Sequence, residues 1–421
     1  MRPPGNGMGS DSPLRTVSLF VLLVGLVLGL SALFDGIWGG IPQTAPVPKA
    51  LILEMGMTVG QFGGANEIPN SALKEMFGLQ AKSDLDRKMR DFGTAEQVAS
   101  LVRKKMALAA ESAGKNWLKI PLKFALWGIF LAAVFLLLRS RRAVSRLRKY
   151  LLLASVLVFG VGMGSDPSPM GTVKDAVHLY ASARAVFLPR LIALAVFLAV
   201  VFLANKYICA WGCQLGTLQD LIFHINRTNR HKAILGRQVK LPFALTNSVR
   251  ILFFCGFTLA AFLLAFDIIG WIDPFKVFKP AALGLYGGVF LALLLAASLF
   301  IYRPWCHLFC PFGLAGWLVE KVSRIKIKVN YETCIACRKC AAACPSTVMD
   351  AILRRDRKTI PDCFACYACR EECPTGSIHF AAGRRALPPG GFFAKDPLGE
   401  AGKHPASGRG DRSLDMRAGG Q

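Results

Sequence analysis

The sequence predicts an α-helical integral membrane protein of about six spans with a small α+β module near the C-terminus. Three observations carry this: a composition both apolar and basic, a series of apolar runs of membrane length, and a dense set of cysteines after the last run. Hydrophobic residues make up 53% of the 421 residues and charged residues 18%, against about 25% charged in ordinary soluble domains. Yet the net charge is +25 and the mean hydropathy is +0.42. A soluble nucleic-acid binder would carry such charge on a hydrophilic body, and a disordered chain would have less to bury. A membrane protein with its positive charge gathered on one side fits both figures. Membrane lipid is therefore an expected partner, and nucleic acid is not.

Crossing a hydrocarbon core of about 30 Å takes roughly 20 helical residues. Six runs reach or approach that length: Val17–Phe34, Pro121–Leu138, Tyr150–Gly164, Leu191–Cys209, Val249–Ile269 and Ala281–Ile301. The first reads as an uncleaved signal anchor, because Ser31-Ala32-Leu33-Phe34-Asp35 offers no small-x-small cleavage site. Arg139, Arg141, Arg142, Arg146, Arg148 and Lys149 crowd one short loop, and Lys206, Arg227, Arg230, Lys232, Arg237 and Lys240 another. The opposite loops are poorer, with Lys174 and Arg184 in one and Lys276 and Lys279 in the other. Positive loops stay inside. The expectation is a multi-pass protein of the cell's inner (cytoplasmic) membrane with both termini inside.

Residues 1–34 are then the N-terminal segment and anchor, 35–120 an outer domain, 121–320 the transmembrane core, 321–381 an inner module and 382–421 a disordered basic tail. In the outer domain, Ser83-Asp84-Leu85-Asp86 and Thr94-Ala95-Glu96-Gln97 read as capping boxes, and Pro69-Asn70-Ser71 as a helix start. It has no Cys or His, so it reads as a partner-docking unit or a spacer.

Eight of the thirteen cysteines form two matching runs, Cys334-x2-Cys337-x2-Cys340-x3-Cys344-Pro345 and Cys363-x2-Cys366-x2-Cys369-x3-Cys373-Pro374. This is the bacterial ferredoxin spacing for [4Fe–4S] clusters. Three closely spaced thiolates wrap one cube; the fourth leaves on a helix and serves the other. Cys334, Cys337, Cys340 and Cys373 are expected to hold one cluster, and Cys363, Cys366, Cys369 and Cys344 the second. Disulfides do not suit a cytoplasmic module, and structural zinc favours two separated pairs. Arg324–Val329 alternates as a half-buried strand, and Ser377–Phe380 could pair with it. The inner module is thus an α+β ferredoxin domain with two [4Fe–4S] clusters as cofactors.

Cys255 stands alone in an apolar run and reads as an inert thiol. Cys209-Ala-Trp-Gly-Cys213 and Cys306-His-Leu-Phe-Cys310 are different, each closing a span at the inner boundary. Lys206 and Arg303 stand three residues before them, Gly216 and Gly313 three after, and Asp166-Pro167 and Asp273-Pro274 upstream. Spans three and four therefore repeat as five and six. On a continuous helix, each Cys-x3-Cys would put both thiols on one face. The four cysteines are either a third metal or cluster site, or a redox-active or structural thiol set.

Taken together, the Cys-x3-Cys motifs, the Asp-Pro loops and the two-cluster module resemble the membrane-bound polyferredoxin family over residues 121–381. Its members include NapH, of periplasmic nitrate reductase systems, and NosR, of nitrous-oxide reductase maturation. The motif usually ends in Pro; Cys310-Pro311 keeps this, while Cys213 is followed by Gln214. The resemblance implies an electron-transfer subunit rather than a stand-alone enzyme, passing single electrons between the quinone pool or a cytoplasmic donor and a partner redox complex. The alternative is a biogenesis or regulatory factor that uses its clusters for redox sensing or metal reduction.

His307, His224, Asp220 and Trp305 are candidates to line an inner quinone site, and His178 an outer one; His231 and His404 read as solvated. The apolar runs offer no facing histidines for b-type haem, and no Cys-x2-Cys-His exists for c-type haem. The chain alone is therefore expected not to carry electrons across the membrane. Basic residues such as Lys326, Lys328, Arg338, Lys339, Arg354, Arg355, Arg357 and Lys358 would hold the module to anionic lipid or steer an acidic donor.

Overall fold

The computed structural model describes residues 12–37, 51–138, 141–227, 233–354 and 362–389. Helix α1 (Pro13–Ile37) is apolar along its length. A small helical domain follows, with α2 (Val59–Ala65), α3 (Asn70–Phe77) and α4 (Ala95–Ala113). It has a separate core of Val59, Phe62, Leu73, Met89, Val98 and Val102. The Thr94–Gln97 capping box forms as expected. The Ser83 one does not: Ser83–Asp86 is a 3-10 turn, and Asp84 instead accepts from the Gln80 and Ala81 amides.

The helical body comprises α5 (Lys119–Leu137), α6 (Arg141–Ser155), α7 (Pro169–Ala183), α8 (Leu188–Ala204), α9 (Tyr207–Trp211), α10 (Gln214–Ile225), α11 (Phe243–Leu264), α12 (Ile268–Trp271), α13 (Leu285–Ala297), α14 (Pro304–Leu308) and α15 (Pro311–Glu320). The six apolar runs do not become six equal helices. Among the described residues, Pro13–Gly36, Lys119–Leu137 and Phe243–Leu264 are long and apolar enough to cross a membrane. Leu188–Ala204 and Leu285–Ala297 are apolar but shorter. The Tyr150–Gly164 run is shared between α6 and a π-helical stretch, Val156–Gly162. There Gly160 lies against the Phe278 ring, which a Cβ would approach to 2.3 Å. Close packing, more than span length, shapes that run.

The duplication is visible in three dimensions. In the first copy α8 ends at Ala204, the chain reverses at Asn205 (φ 63°), and α9 and α10 follow. In the second, α13 ends at Ala297, Arg303 is left-handed (φ 46°), and α14 and α15 follow.

The C-terminal module contains β1 (Ile325–Val329), α16 (Lys339–Ala343), α17 (Val348–Leu353), α18 (Ala368–Glu371) and β2 (Ile378–Ala382). The strands pair antiparallel, from Ile325 opposite Ala382 to Val329 opposite Ile378. Alternation turns Ile327 and Val329 inward, onto Val348, Met349 and Ile352. Phe364, Ala365 and Tyr367 of the module belong to the core of the helical body. Burying two aromatic side chains there contributes roughly 2–3 kcal/mol each. The expected tail falls mostly outside the described residues, as do His231, His404, Arg355, Arg357 and Lys358.

Candidate redox site

Each ferredoxin loop is bent by the same device. Ala336 and Arg338 flank Cys337 with φ of 53° and 54°; Ala365 and Tyr367 flank Cys366 with φ of 52° and 67°. Left-handed backbone costs a non-glycine residue roughly 1–2 kcal/mol. The matching strain in both loops turns three successive thiols toward one centre.

Those thiols line two cavities. One, of about 350 Å³, is lined by Cys334, Cys337, Cys340 and Cys373 with Val329, Leu353 and Ile378. The other, of about 380 Å³, is lined by Cys344, Cys363, Cys366 and Cys369 with Ile327, Val348, Met349 and, from the helical body, Tyr302. The fourth cysteine of each run thus lies at the cavity of the other run. Four thiols around a mostly apolar hollow fit a cubane cluster. The Ala365 amide donates to Cys363 Sγ at 3.4 Å, the kind of bond that tunes cluster potential. Burial pushes the Cys340 thiol up to about 12, with the neighbouring Cys373 adding to it, so metal binding there displaces protons.

The two cavities differ in surroundings. Cys337 is exposed, whereas Cys344 and Cys369 are buried. The second cavity lies against the helical body through several contacts. Trp211 Nε1 donates to the Ala365 carbonyl at 3.2 Å. The His307 and Phe364 rings are 4.9 Å apart. The Cys363 amide donates to Glu320 at 3.0 Å, and Arg370 to the Leu138 carbonyl at 2.6 Å. Asp362, next to Cys363, is buried in ion pairs with Lys206 and with Arg250, the latter at 3.1 Å. Burial alone would raise the Asp362 carboxyl; the two cations outweigh it and hold it well below the usual carboxylate range.

Cys209, Cys213, Cys306 and Cys310 are all buried. They do not lie in pairs on one helical face, as the spacing suggests. Cys209 is within α9 and Cys306 within α14, whereas Cys213 and Cys310 are the N-cap residues of α10 and α15. The chain turns between the two thiols. The repeated glycine explains the turn: a Cβ on Gly216 would stand 2.7 Å from the Cys209 carbonyl oxygen, and one on Gly313 2.7 Å from that of Cys306. Each copy also reaches into the other. Arg303 donates to the Cys209 and Ala210 carbonyls, and Lys206 and Arg250 to that of Gly313. No three His, Cys, Asp or Glu side chains among the described residues, the ferredoxin cysteines included, sit at single-ion spacing.

Known proteins match these same regions. A model described as a 4Fe-4S dicluster domain matches residues 326–374, and one described as a 4Fe-4S binding domain matches 186–237 and again 283–330. The chain is 31% identical over 195 residues to the putative electron transport protein YccM of Escherichia coli, covering 44% of this chain and 53% of that one. It is 26% identical over 189 residues to the ferredoxin-type protein NapH of Haemophilus influenzae, covering 42% and 63%. The chain thus spans between half and two thirds of these relatives. No solved structure matches. Over these regions the chain is similar to NapH-like polyferredoxins.

The family matches support iron–sulfur binding, and three helices among the described residues are long and apolar enough to cross a membrane. The two copies of the 4Fe-4S binding match each enclose one Cys-x3-Cys pair, so the duplication read from sequence is one of whole structural units. The proposed quinone-lining residues do not gather in one place. Asp220 is buried in ion pairs with Arg303 and Arg148, and His224 rests on Asp220. Trp305 is fully buried, and His178 lies on α7. His307 lines a hollow open to solvent, with Thr246, Tyr302, Asp362 and Pro345. Sequence reasoning missed Asp362 and Arg250. A carboxylate one residue before a cluster cysteine and a lone arginine in an apolar run were the available signals.

Proposed function

We propose that the protein is a multi-pass electron-transfer subunit of the inner membrane, with both ends inside and the ferredoxin module on the cytoplasmic face. Cys334, Cys337, Cys340 and Cys373 hold one [4Fe–4S] cluster, and Cys363, Cys366, Cys369 and Cys344 the other. Each cluster supplies one-electron chemistry with little rearrangement. The observation that carries this reading is the pair of four-thiol cavities, one open at Cys337 and the other set against the helical body.

The chain's own residues give the pair a direction in space. Arg338 and Lys339, beside Cys337, present positive charge at the open cavity, suited to an acidic donor or acceptor protein. Asp362, locked by Lys206 and Arg250, fixes the other loop onto the helices. The cavity beside it takes a quinone headgroup, with His307 and Thr246 as hydrogen-bond partners and Pro345 leading to Cys344. Electrons pass between this quinone site or a soluble donor and a partner redox complex.

The test uses inside-out membrane vesicles holding the full chain. Protease should release the module from their exposed face. A quinone or quinol analogue should change the redox state of the iron–sulfur chromophore, and His307→Leu should remove that response while leaving dithionite reduction intact. A module protected in inside-out vesicles, or a quinone response unaffected by His307→Leu, would contradict the respective part of this reading.

A further inference from the structure

We infer that Arg148 and Arg227, both from the helical body, serve the cluster of Cys363, Cys366, Cys369 and Cys344 as a pair of cationic partners and raise its reduction potential, drawing electrons toward the helices. This rests on the proposed function for the presence of the two clusters.

Arg148 lies on α6 and is buried. Its Nη2 donates to Asp220 at 3.4 Å, a long bond, and its Nη1 stands 3.9 Å from Glu371. Glu371 is on α18, which carries Cys369. Asp220 in turn accepts from Tyr302 Oη at 2.8 Å, and Tyr302 lines the second cavity with its four cysteines. Arg227 stands just beyond the end of α10. Its Nη atoms reach the Ala342 and Ala343 carbonyls, beside Cys344, at 3.5 Å. The Trp211 ring lies 5.9 Å from the Arg148 guanidinium carbon, and the Phe223 ring 5.7 Å from that of Arg227. Elements outside the ferredoxin fold thus fix both guanidiniums beside one cluster cavity.

Their hydrogen bonding is incomplete. Arg148 Nε and Nη1 and Arg227 Nε are buried and have no hydrogen-bond partner, and a buried donor left unpaired is costly. Asp220 does not make up the shortfall, because it is also paired with Arg303 and His224. Glu320 and Asp362, the other carboxylates near this cluster, are turned elsewhere. Glu320 accepts from the Cys363 amide and stands 4.0 Å from Arg385, and Asp362 pairs with Lys206 and Arg250. Like charges also meet here. Burial holds the Arg227 guanidinium below its usual range and Arg148 adds to this, while Cys366 and Cys344 oppose it. Burial pushes the Cys366 thiol up, and Arg148 is the charge that most opposes that. Two guanidiniums that repel one another and share thiol neighbours need an anion in common. A four-thiolate cluster is such an anion, and its net charge surroundings and hydrogen bonds to its sulfurs set its potential.

Reduction adds one negative charge to a cluster. In a buried site that charge is poorly solvated, which lowers the potential, and neighbouring cations offset this. The first cavity has Arg338 in its wall, but Cys337 is open to water there, and water weakens the effect of charge. The arginines therefore matter most at the second cluster. They favour an electron next to Tyr302, which also lines the hollow at His307.

The experiment is an EPR-monitored redox titration of anaerobically purified full-length protein, with iron counted per chain and the two clusters told apart by Cys344→Ser. Wild type is compared with Arg148→Gln, Arg227→Gln, the double variant and Arg148→Lys. About eight irons throughout are expected. The potential of the second cluster should fall in each Gln variant and further in the double, with the first cluster unchanged. Arg148→Lys, which keeps the charge, should fall less than Arg148→Gln. A second cluster that holds its potential in the double variant, a first cluster that shifts as much, or a Lys variant that falls as far as the Gln variant would overturn the inference and leave the proposed function standing. Wild-type protein without iron would overturn the proposed function instead. Should the variants at buried Arg148 not retain iron, Arg227→Gln, at a partly buried residue, decides: a fall confined to the second cluster supports the inference, and an unchanged potential overturns it.

Discussion

The two repeats build the same socket and fill it differently. In one, Arg303 and Arg148 converge on Asp220 of α10. In the other, Lys206 and Arg250 converge on Asp362, which belongs to the ferredoxin module. In α15, Trp317 rather than a carboxylate stands four residues after Gly313, where Asp220 follows Gly216. The helical unit that lacks its own anion takes one from the module, and a symmetric duplication becomes a directional dock.

Removing the two carboxylates should break this comparison most clearly. Each deletion strands two buried cations at a cost of about 3–5 kcal/mol. Asp220→Ala should destabilise the helical body, read as lost thermal stability of the whole chain. Asp362→Ala should instead free the module, read as faster hydrogen exchange at Phe364–Tyr367 with α10 unchanged. Identical exchange patterns in the two variants would sink the distinction.

Gly216→Ala and Gly313→Ala come next. Both place a Cβ 2.7 Å from a carbonyl oxygen, and each should lower stability by about 1–3 kcal/mol. Denaturation midpoints that fall for only one of them would show that the two turns are not equivalent. Trp211→Phe should cost about 1 kcal/mol for one lost hydrogen bond and shift the potential of the cluster at Cys363, Cys366 and Cys369 more than that of the cluster at Cys334, Cys337 and Cys340. Cys255→Ser, at an exposed thiol outside either repeat motif, should change stability by less than about 0.5 kcal/mol.

The same contrast separates what the sequence discloses from what it hides. The eight ferredoxin cysteines, the strand at Ile325–Val329 and the duplication were legible because local spacing fixes them. The path of the chain through each Cys-x3-Cys was not. Helical periodicity supposes a continuous helix, but Cys213 and Cys310 cap new helices, a turn that only the later glycines betray. The Tyr150–Gly164 run read as a span because hydropathy counts residues; its geometry is set by Gly160 packing on Phe278, a contact 118 positions apart in sequence. The Asp362 lock was hidden for the same reason: its partners, Lys206 and Arg250, are far away in the chain.

The central claim is that the module's eight thiolates hold two [4Fe–4S] clusters with the fourth ligands exchanged. Low-temperature EPR of reduced, anaerobically prepared Cys344→Ser protein tests it most directly. The account predicts that the cluster of Cys363, Cys366 and Cys369 is altered or lost while that of Cys334, Cys337 and Cys340 persists. Loss of the latter with survival of the former would contradict it.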